Sequence, residues 1–181
     1  MMALGTTVLR EALAALGGGQ QVPTDALRLD AVGTVDELNS FLGVALAHGV
    51  CPRLREELPV IQRELIQLAS NLAFPEEERQ RYHVQPIEAG QVARLETLTD
   101  ELSQAVGPLA NFIVPGGVPG AAYLHVARAV CLRAHRAVVA LSRREALGAL
   151  TSPYVCQLGH ALFAMARYEN AYHNVPETLV N

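Results

Sequence analysis

The sequence predicts an all-α fold, a five-helix bundle, and three observations carry that prediction. Half of the residues are hydrophobic but only 5% are aromatic, so the interior is built from Leu, Ala and Val, which suit helix packing better than a β-sandwich. Apolar residues recur at spacings of three and four through most of the chain, the repeat of one helix face. At 181 residues the chain is long enough to bury one full core without metal or disulfide staples. The expected organisation is an N-terminal arm over residues 1–33 and one helical-bundle domain over residues 34–181, with no internal repeat and no linker that would divide it.

The arm holds a short Ala/Leu segment, "LREALAALGGG", which reads as a short helix running into the glycines Gly17 to Gly19. In "TVDELNSFLGVALAHG" Thr34 and Glu37 read as a capping box, with Val35, Leu38, Phe41, Leu42 and Ala45 continuing on one face, so the first helix is expected over about 35–48. Leu54, Leu58, Ile61, Leu65, Leu68 and Leu72 form the seam of the second helix, in which Pro59 either makes a kink or opens the main part. The polar stretch from Pro75 to Gly90 has no period and reads as a surface loop. A third helix follows on Val92, Leu95, Leu98, Leu102 and Val106. "GPLANFIVPGGVPG" breaks the pattern with three prolines and four glycines. The fourth helix then runs from near Ala121 to Arg144, about 24 residues and roughly 36 Å. Thr151 or Ser152 before Pro153 opens the last helix, on Val155, Leu158, Leu162 and Met165. No strands are expected.

The charge pattern excludes several functions. All 14 basic residues are Arg, so a lysine Schiff base and a P-loop lysine are impossible. A net charge of −4 without a basic run gives no surface for general nucleic-acid binding. Three widely spaced cysteines without a CxxC pair read as reduced thiols in a cytoplasmic protein. "MMALGTTVL" lacks the charged start and long apolar core of a signal peptide, and no apolar run is long enough to span a bilayer.

The stretch "RAVCLRAHR" places Arg128, Cys131, Leu132 and His135 on one face of the fourth helix, with Arg133 and Arg136 progressively around it. Arg128 reads as an inward charge, and an inward charge needs a partner. The sequence has four aspartates, and Asp36, expected in the first turn of the first helix, is the natural one. The pair either ties two helices together or belongs to a site. Cys131 and His135, and likewise Cys156 and His160, stand four apart, which offers either a Cys2His2 zinc arrangement or two buried thiols beside satisfied histidines. Gly116 and Gly117 after Pro115 mark a tight turn without a phosphate-binding motif around it.

Three segments, "DAVGTVDELNSFLGVAL", "FIVPGGVPGAAYLHVARAVCLRAHRAVVAL" and "ALFAMARYEN", together resemble the PduO-type ATP:cob(I)alamin adenosyltransferases over about residues 18–170. The resemblance implies a five-helix bundle assembled as a homotrimer with small-molecule sites between subunits. The implied chemistry is attack by Co(I) of reduced cobalamin on the 5′-carbon of ATP, displacing triphosphate with the help of Mg2+. It further implies that Asp36 and Arg128 form a salt bridge in the catalytic centre. Phe112 is implied to close the lower face of the corrin, making the cobalt four-coordinate and easier to reduce. Gly116, Gly117, Arg133 and Arg136 complete the expected cofactor-binding set, and no resident metal is expected.

The departures from the family pattern fall on the nucleotide side. The Thr/Gly/Asp-rich opening loop is reduced to "GTT" at residues 5–7, and its basic segment to Gln20, Gln21 and Thr24. An arginine and a glutamate of the fourth helix are Leu132 and His135, while an asparagine and an aspartate of the last helix are Cys156 and His160. Losing Arg contacts to a dense anion removes charge and bidentate geometry together, leaving Arg10, Arg133 and Arg136 as substitutes. The expected function is therefore a cobalamin adenosyltransferase-like protein that binds or delivers a corrinoid, with weak or absent ATP-dependent adenosyl transfer. Cobalamin is the expected ligand, and Mg-ATP binding is expected to be impaired. Two alternatives stay open: an active ATP:cob(I)alamin adenosyltransferase, and a metal-, tetrapyrrole- or other small-molecule-binding protein on the same trimeric scaffold, with Cys131, His135, Cys156 and His160 lining the pocket. No nucleic-acid or membrane partner is expected.

Overall fold

A computed structural model describes residues 13–19, 21–23 and 26–180. The expected features at residues 5–7, Arg10, Gln20 and Thr24 lie outside them. Five long helices form the bundle: α1 (Leu27–His48), α2 (Pro52–Ala73), α4 (Ala89–Val106), α5 (Pro119–Ser142) and α6 (Thr151–Tyr172), with a single turn, α3 (Glu76–Arg79), after α2. α1 packs between α2 and α5, and α6 between α5 and α4. The seam expected for the second helix is the centre of the core: Leu54, Leu58, Ile61, Leu65, Leu68 and Leu72 have no exposed surface. Each such side chain contributes about 1.5–3 kcal/mol of burial. Pro59 lies inside α2 without ending it, and Pro52 occupies its first turn.

Three expectations are corrected. Among the described residues there are four short strands, paired as two ribbons. In the first, β1 (Leu13–Ala15) runs antiparallel to β2 (Gln21–Pro23), where a short helix was expected. Gly18 and Gly19, with φ of 79° and 82°, turn the chain back at a point where a helix would have to continue. In the second ribbon, β3 (Ile113–Val114) pairs with β4 (Thr178–Leu179).

The first helix begins at Leu27 and not near residue 35, because its buried stripe extends backwards through Ala31 to Arg28. Thr34 is consequently not a cap; its hydroxyl donates to the Asp30 carbonyl, 2.6 Å away and one turn earlier. Asp36 lies nine residues into α1 instead of in its first turn. Arg28 is buried with its guanidinium donating to the Leu72 carbonyl and to Glu145, which ties the start of α1 to the end of α2 and to the loop after α5.

The end of the bundle that carries the 107–118 loop is held by buried polar groups. Glu169 of α6 has no exposed surface, and its Oε2 accepts the backbone N–H of Cys51, the N-cap of α2, at 2.9 Å. The partial positive charge of that helix start compensates the carboxylate, and His173 Nε2 stands 3.0 Å from its other oxygen. Gly120 is required beside it, since a Cβ there would stand 2.6 Å from the Gly49 carbonyl.

Candidate functional site

The loop from Gly107 to Val118 is fixed on three sides although its sequence is irregular. Arg167, buried on α6, donates to the Gly107 carbonyl at 3.1 Å and pairs with Glu177 at 2.7 Å. The β3–β4 ribbon clips the loop to the C-terminal segment, and the Val180 N–H donates to the Phe112 carbonyl at 2.9 Å. Asn170 makes the third tie: its Oδ1 accepts the Val118 N–H and its Nδ2 donates to the Gly116 carbonyl, each at 3.0 Å. Gly117 permits this approach, because its φ is 108° and a Cβ there would overlap the Asn170 amide.

Held in this way, Phe112 projects from the loop with 87% of its surface exposed. Between it and the bundle lies a cavity of about 550 Å3, lined by the loop from Leu109 to Pro115 and by His125, Arg128 and Phe163. Arg128 lies half-buried with its guanidinium 4.8 Å from the centre of the Phe163 ring, a cation–π contact. The His125 ring meets the same phenyl edge-on at 6.1 Å and 61°. Burial first, and then the neighbouring Arg128 charge, hold the His125 imidazole below the usual histidine range. The result is an apolar aromatic shelf with one cation at its side and an uncharged imidazole in its wall, suited to the face of a large flat ligand.

The structure brings Phe112 and Arg128 together and leaves the other expected site residues apart. Asp36 is exposed on α1 and forms no ion pair with Arg128 within the chain, so the expected pair is not made inside one subunit. Partial burial raises the Asp36 carboxyl above its usual range. Arg133 of α5 pairs with Glu37 of α1, at the edge of a separate concavity of about 540 Å3 over α1. Arg136 stands exposed on α5. Gly116 and Gly117 lie behind Phe112, where with Asn170, His125 and Glu177 they line a small enclosed cavity of about 70 Å3.

Leu132 does not face inward with Cys131 as expected. It is 37% exposed and sits at the α5–α6 groove, where a Cβ on Gly159 would be 3.5 Å away. The four Cys/His residues do not converge as one ligand set, although Cys156 lies near enough to Cys131 to act on its charge. Cys131 is buried and donates to the Val155 carbonyl at 3.3 Å, and burial pushes its thiol up to about 12. His135 Nε2 meets the Ser152 hydroxyl at 3.1 Å, and His160 is exposed beside Gln157. Among the described residues no three His, Cys, Asp or Glu side chains gather as metal ligands, and no helix is long and apolar enough to cross a membrane.

Sequence reasoning missed Phe163, His125, Arg167 and Asn170 as site residues. Arg167 and Asn170 stand three apart in "ARYEN", so two polar groups interrupting an otherwise apolar face were the available signal.

The comparisons with known proteins agree with this geometry. The family model described as cobalamin adenosyltransferase matches residues 11–169. A cobalamin adenosyltransferase from Cupriavidus metallidurans is 39% identical over 156 residues, covering 86% of this chain and 81% of that protein. A corrinoid adenosyltransferase from Citrobacter freundii is 38% identical, covering 89% and 91%. A variant PduO-type ATP:corrinoid adenosyltransferase from Lactobacillus reuteri, solved in complex with cobalamin and ATP, superposes with a TM-score of 0.87 at 31% identity over 94% of each chain. The all-α five-helix bundle, the loop that presents Phe112 and the match along nearly the whole length lead to one conclusion: the chain belongs to the cobalamin adenosyltransferase family.

Proposed function

We propose that the protein binds a corrinoid on the Phe112–Phe163 shelf as a homotrimer, and that its transfer of adenosyl from ATP is slow. The observation that supports this most directly is the roughly 550 Å3 aromatic cavity, built and braced on its loop, together with Leu132 in place of a cation on the nucleotide side and Arg133 engaged with Glu37. In the family reaction, Co(I) of the substrate attacks the 5′-carbon of ATP. The Co–C bond forms as the C–O bond breaks, and triphosphate leaves with the electron pair. Phe112 and Phe163 exclude water and a lower axial ligand from the cobalt, which favours the four-coordinate state that is easier to reduce. Triphosphate has to be met by donors, and here Leu132 supplies none while Arg133 is engaged with Glu37.

Asp36 and Arg128 act as a pair between subunits in this reading. Among the described residues Arg128 forms no ion pair, and Asp36 is exposed on α1. A neighbouring copy can then supply the Asp36 carboxylate to Arg128.

The test is titration of the protein with cob(II)alamin, followed by reduction and addition of MgATP, with adenosylcobalamin read from its absorbance. Saturable binding that shifts the cob(II)alamin spectrum, weakens with Phe112→Ala and leads to slow turnover is the expected result. Absence of any corrinoid binding refutes the proposal. The second reading, an efficient adenosyltransferase, is favoured by the match to adenosyltransferases along nearly the whole chain. It takes over if turnover saturates at micromolar MgATP. If the nucleotide side is what limits transfer, Leu132→Arg with Cys156→Asn tightens MgATP binding.

A further inference from the structure

We infer that His125 is a positioning residue for the corrinoid, its Nε2 serving as a hydrogen-bonding anchor for one of the amide side chains that fringe a corrin. The inference rests on the corrinoid reading above and assigns a polar contact within that site. His125 lines the cavity under Phe112 with 6% of its surface exposed, and its buried Nε2 has no hydrogen-bond partner among the described residues. An unsatisfied buried nitrogen is costly, and an apolar side chain of the same size would avoid the cost. A polar atom kept there in the unliganded chain is consistent with a partner that arrives from outside.

The surroundings define what that partner is. Arg128 on the same helix and burial both keep the ring uncharged, Phe163 of α6 covers its edge, and Glu177 approaches from the C-terminal segment. A neutral imidazole carries one donor and one acceptor nitrogen. Nε2, whichever of the two it is, makes one bond: it donates to a carbonyl or accepts from an N–H, and a carboxamide offers both, whereas the uncharged ring brings no charge with which to hold a carboxylate or a phosphate. The anionic part of a ligand is left to Arg128. His125 is thus suited to fix the rotation of an amide-bearing macrocycle on a shelf whose aromatic faces alone would let it turn.

The alternative source for the missing partner is the small cavity of about 70 Å3 that His125 also lines, together with Glu177 and Asn170. A trapped water there would satisfy Nε2 without any ligand.

Full-length wild type, His125→Phe and His125→Gln are titrated with cob(II)alamin and their melting temperatures measured without it. The Phe variant is expected to bind threefold to tenfold more weakly, the loss of one neutral hydrogen bond, while melting at the same temperature or higher. The Gln variant, which keeps a donor and an acceptor, is expected to bind within about twofold of wild type by the same arithmetic. Unchanged affinity in the Phe variant overturns the proposal, as does equal weakening in both variants. A Phe variant that melts lower or does not fold also overturns it, since a satisfied structural histidine behaves in that way. If wild type itself does not bind cob(II)alamin, the corrinoid reading has failed, a result distinguishable from an unaltered Phe variant of a binding protein.

Discussion

Replacing Asn170 by Ala tests whether the Phe112 loop is held as the geometry indicates. The side chain is 4% exposed and makes two hydrogen bonds of 3.0 Å to backbone groups on either side of Gly117. Each contributes about 1–1.5 kcal/mol net. Gly116 and Val118 are only half-buried, so water can reach the freed groups and the full desolvation penalty does not apply. The expected loss is therefore about 2–3 kcal/mol. At a urea dependence of about 2–3 kcal/mol per molar, this moves the unfolding midpoint down by roughly 1 M. Both proteins have to be compared at one concentration, because assembly adds to apparent stability. The same substitution should weaken corrinoid binding, since Phe112 is carried by the loosened loop. A midpoint that moves by less than about 0.2 M, equivalent to under 0.5 kcal/mol, would refute the idea that Asn170 fastens the loop.

Three further outcomes follow from buried groups. A thiol reagent should modify Cys156, which is half-buried, in the native protein and all three cysteines after denaturation, because burial raises Cys51 to about 11 and Cys131 to about 12; rapid native labelling of Cys131 would contradict this. Tyr154→Phe should cost about 1.5–3 kcal/mol in chemical denaturation, since the buried hydroxyl donates to the Glu64 carboxylate at 2.8 Å, itself paired with Arg94. Stability should decline as pH falls below about 6.5, where the unfolded chain protonates its histidine before the native His125, whose pKa is lowered, can do so. His125→Gln should flatten that part of the pH profile, and an unchanged profile would show that His125 is not responsible.

Legibility in the sequence depended on how regular the pattern was. The α2 seam reads directly because six core residues repeat at helical spacing and all are buried. The Leu13–Ala15 strand was not legible, since "LAALGGG" has helix-forming residues and only the backbone angles at Gly18 and Gly19 reveal the turn. The start of α1 was misplaced because Gly33 and Arg28 interrupt its apolar stripe, although Arg28 is buried against the end of α2. For the site, the motif around Phe112 was visible and its brace was not. Asn170, Arg167 and the β3–β4 ribbon act across 50 residues or more of chain, as the separation of 54 between Asn170 and Gly116 shows. No local pattern encodes such a distance.

The expected Asp36–Arg128 pair marks a different limit, and its resolution bears on how the site works. Helical spacing tells which residues share a face, but it does not tell whether that face meets the chain's own core or another molecule. Arg133, five residues beyond Arg128 on α5, finds Glu37 within the chain. Arg128 instead lies over Phe163 and beside an imidazole that stays uncharged. A cation–π contact is worth about 0.5–2 kcal/mol, which is enough to orient a guanidinium but less than a well-placed charge partner would give. Arg128 is therefore positioned before it is neutralised. An exposed Asp36 on a neighbouring copy would complete the pair only on assembly, so trimer formation and the charge state of the pocket would be coupled. Under that proposal, sedimentation of Asp36→Asn should show weaker assembly while the fold of the isolated chain is unaffected. If the variant assembles as wild type does, Arg128 draws its counter-charge from the ligand and not from the protein.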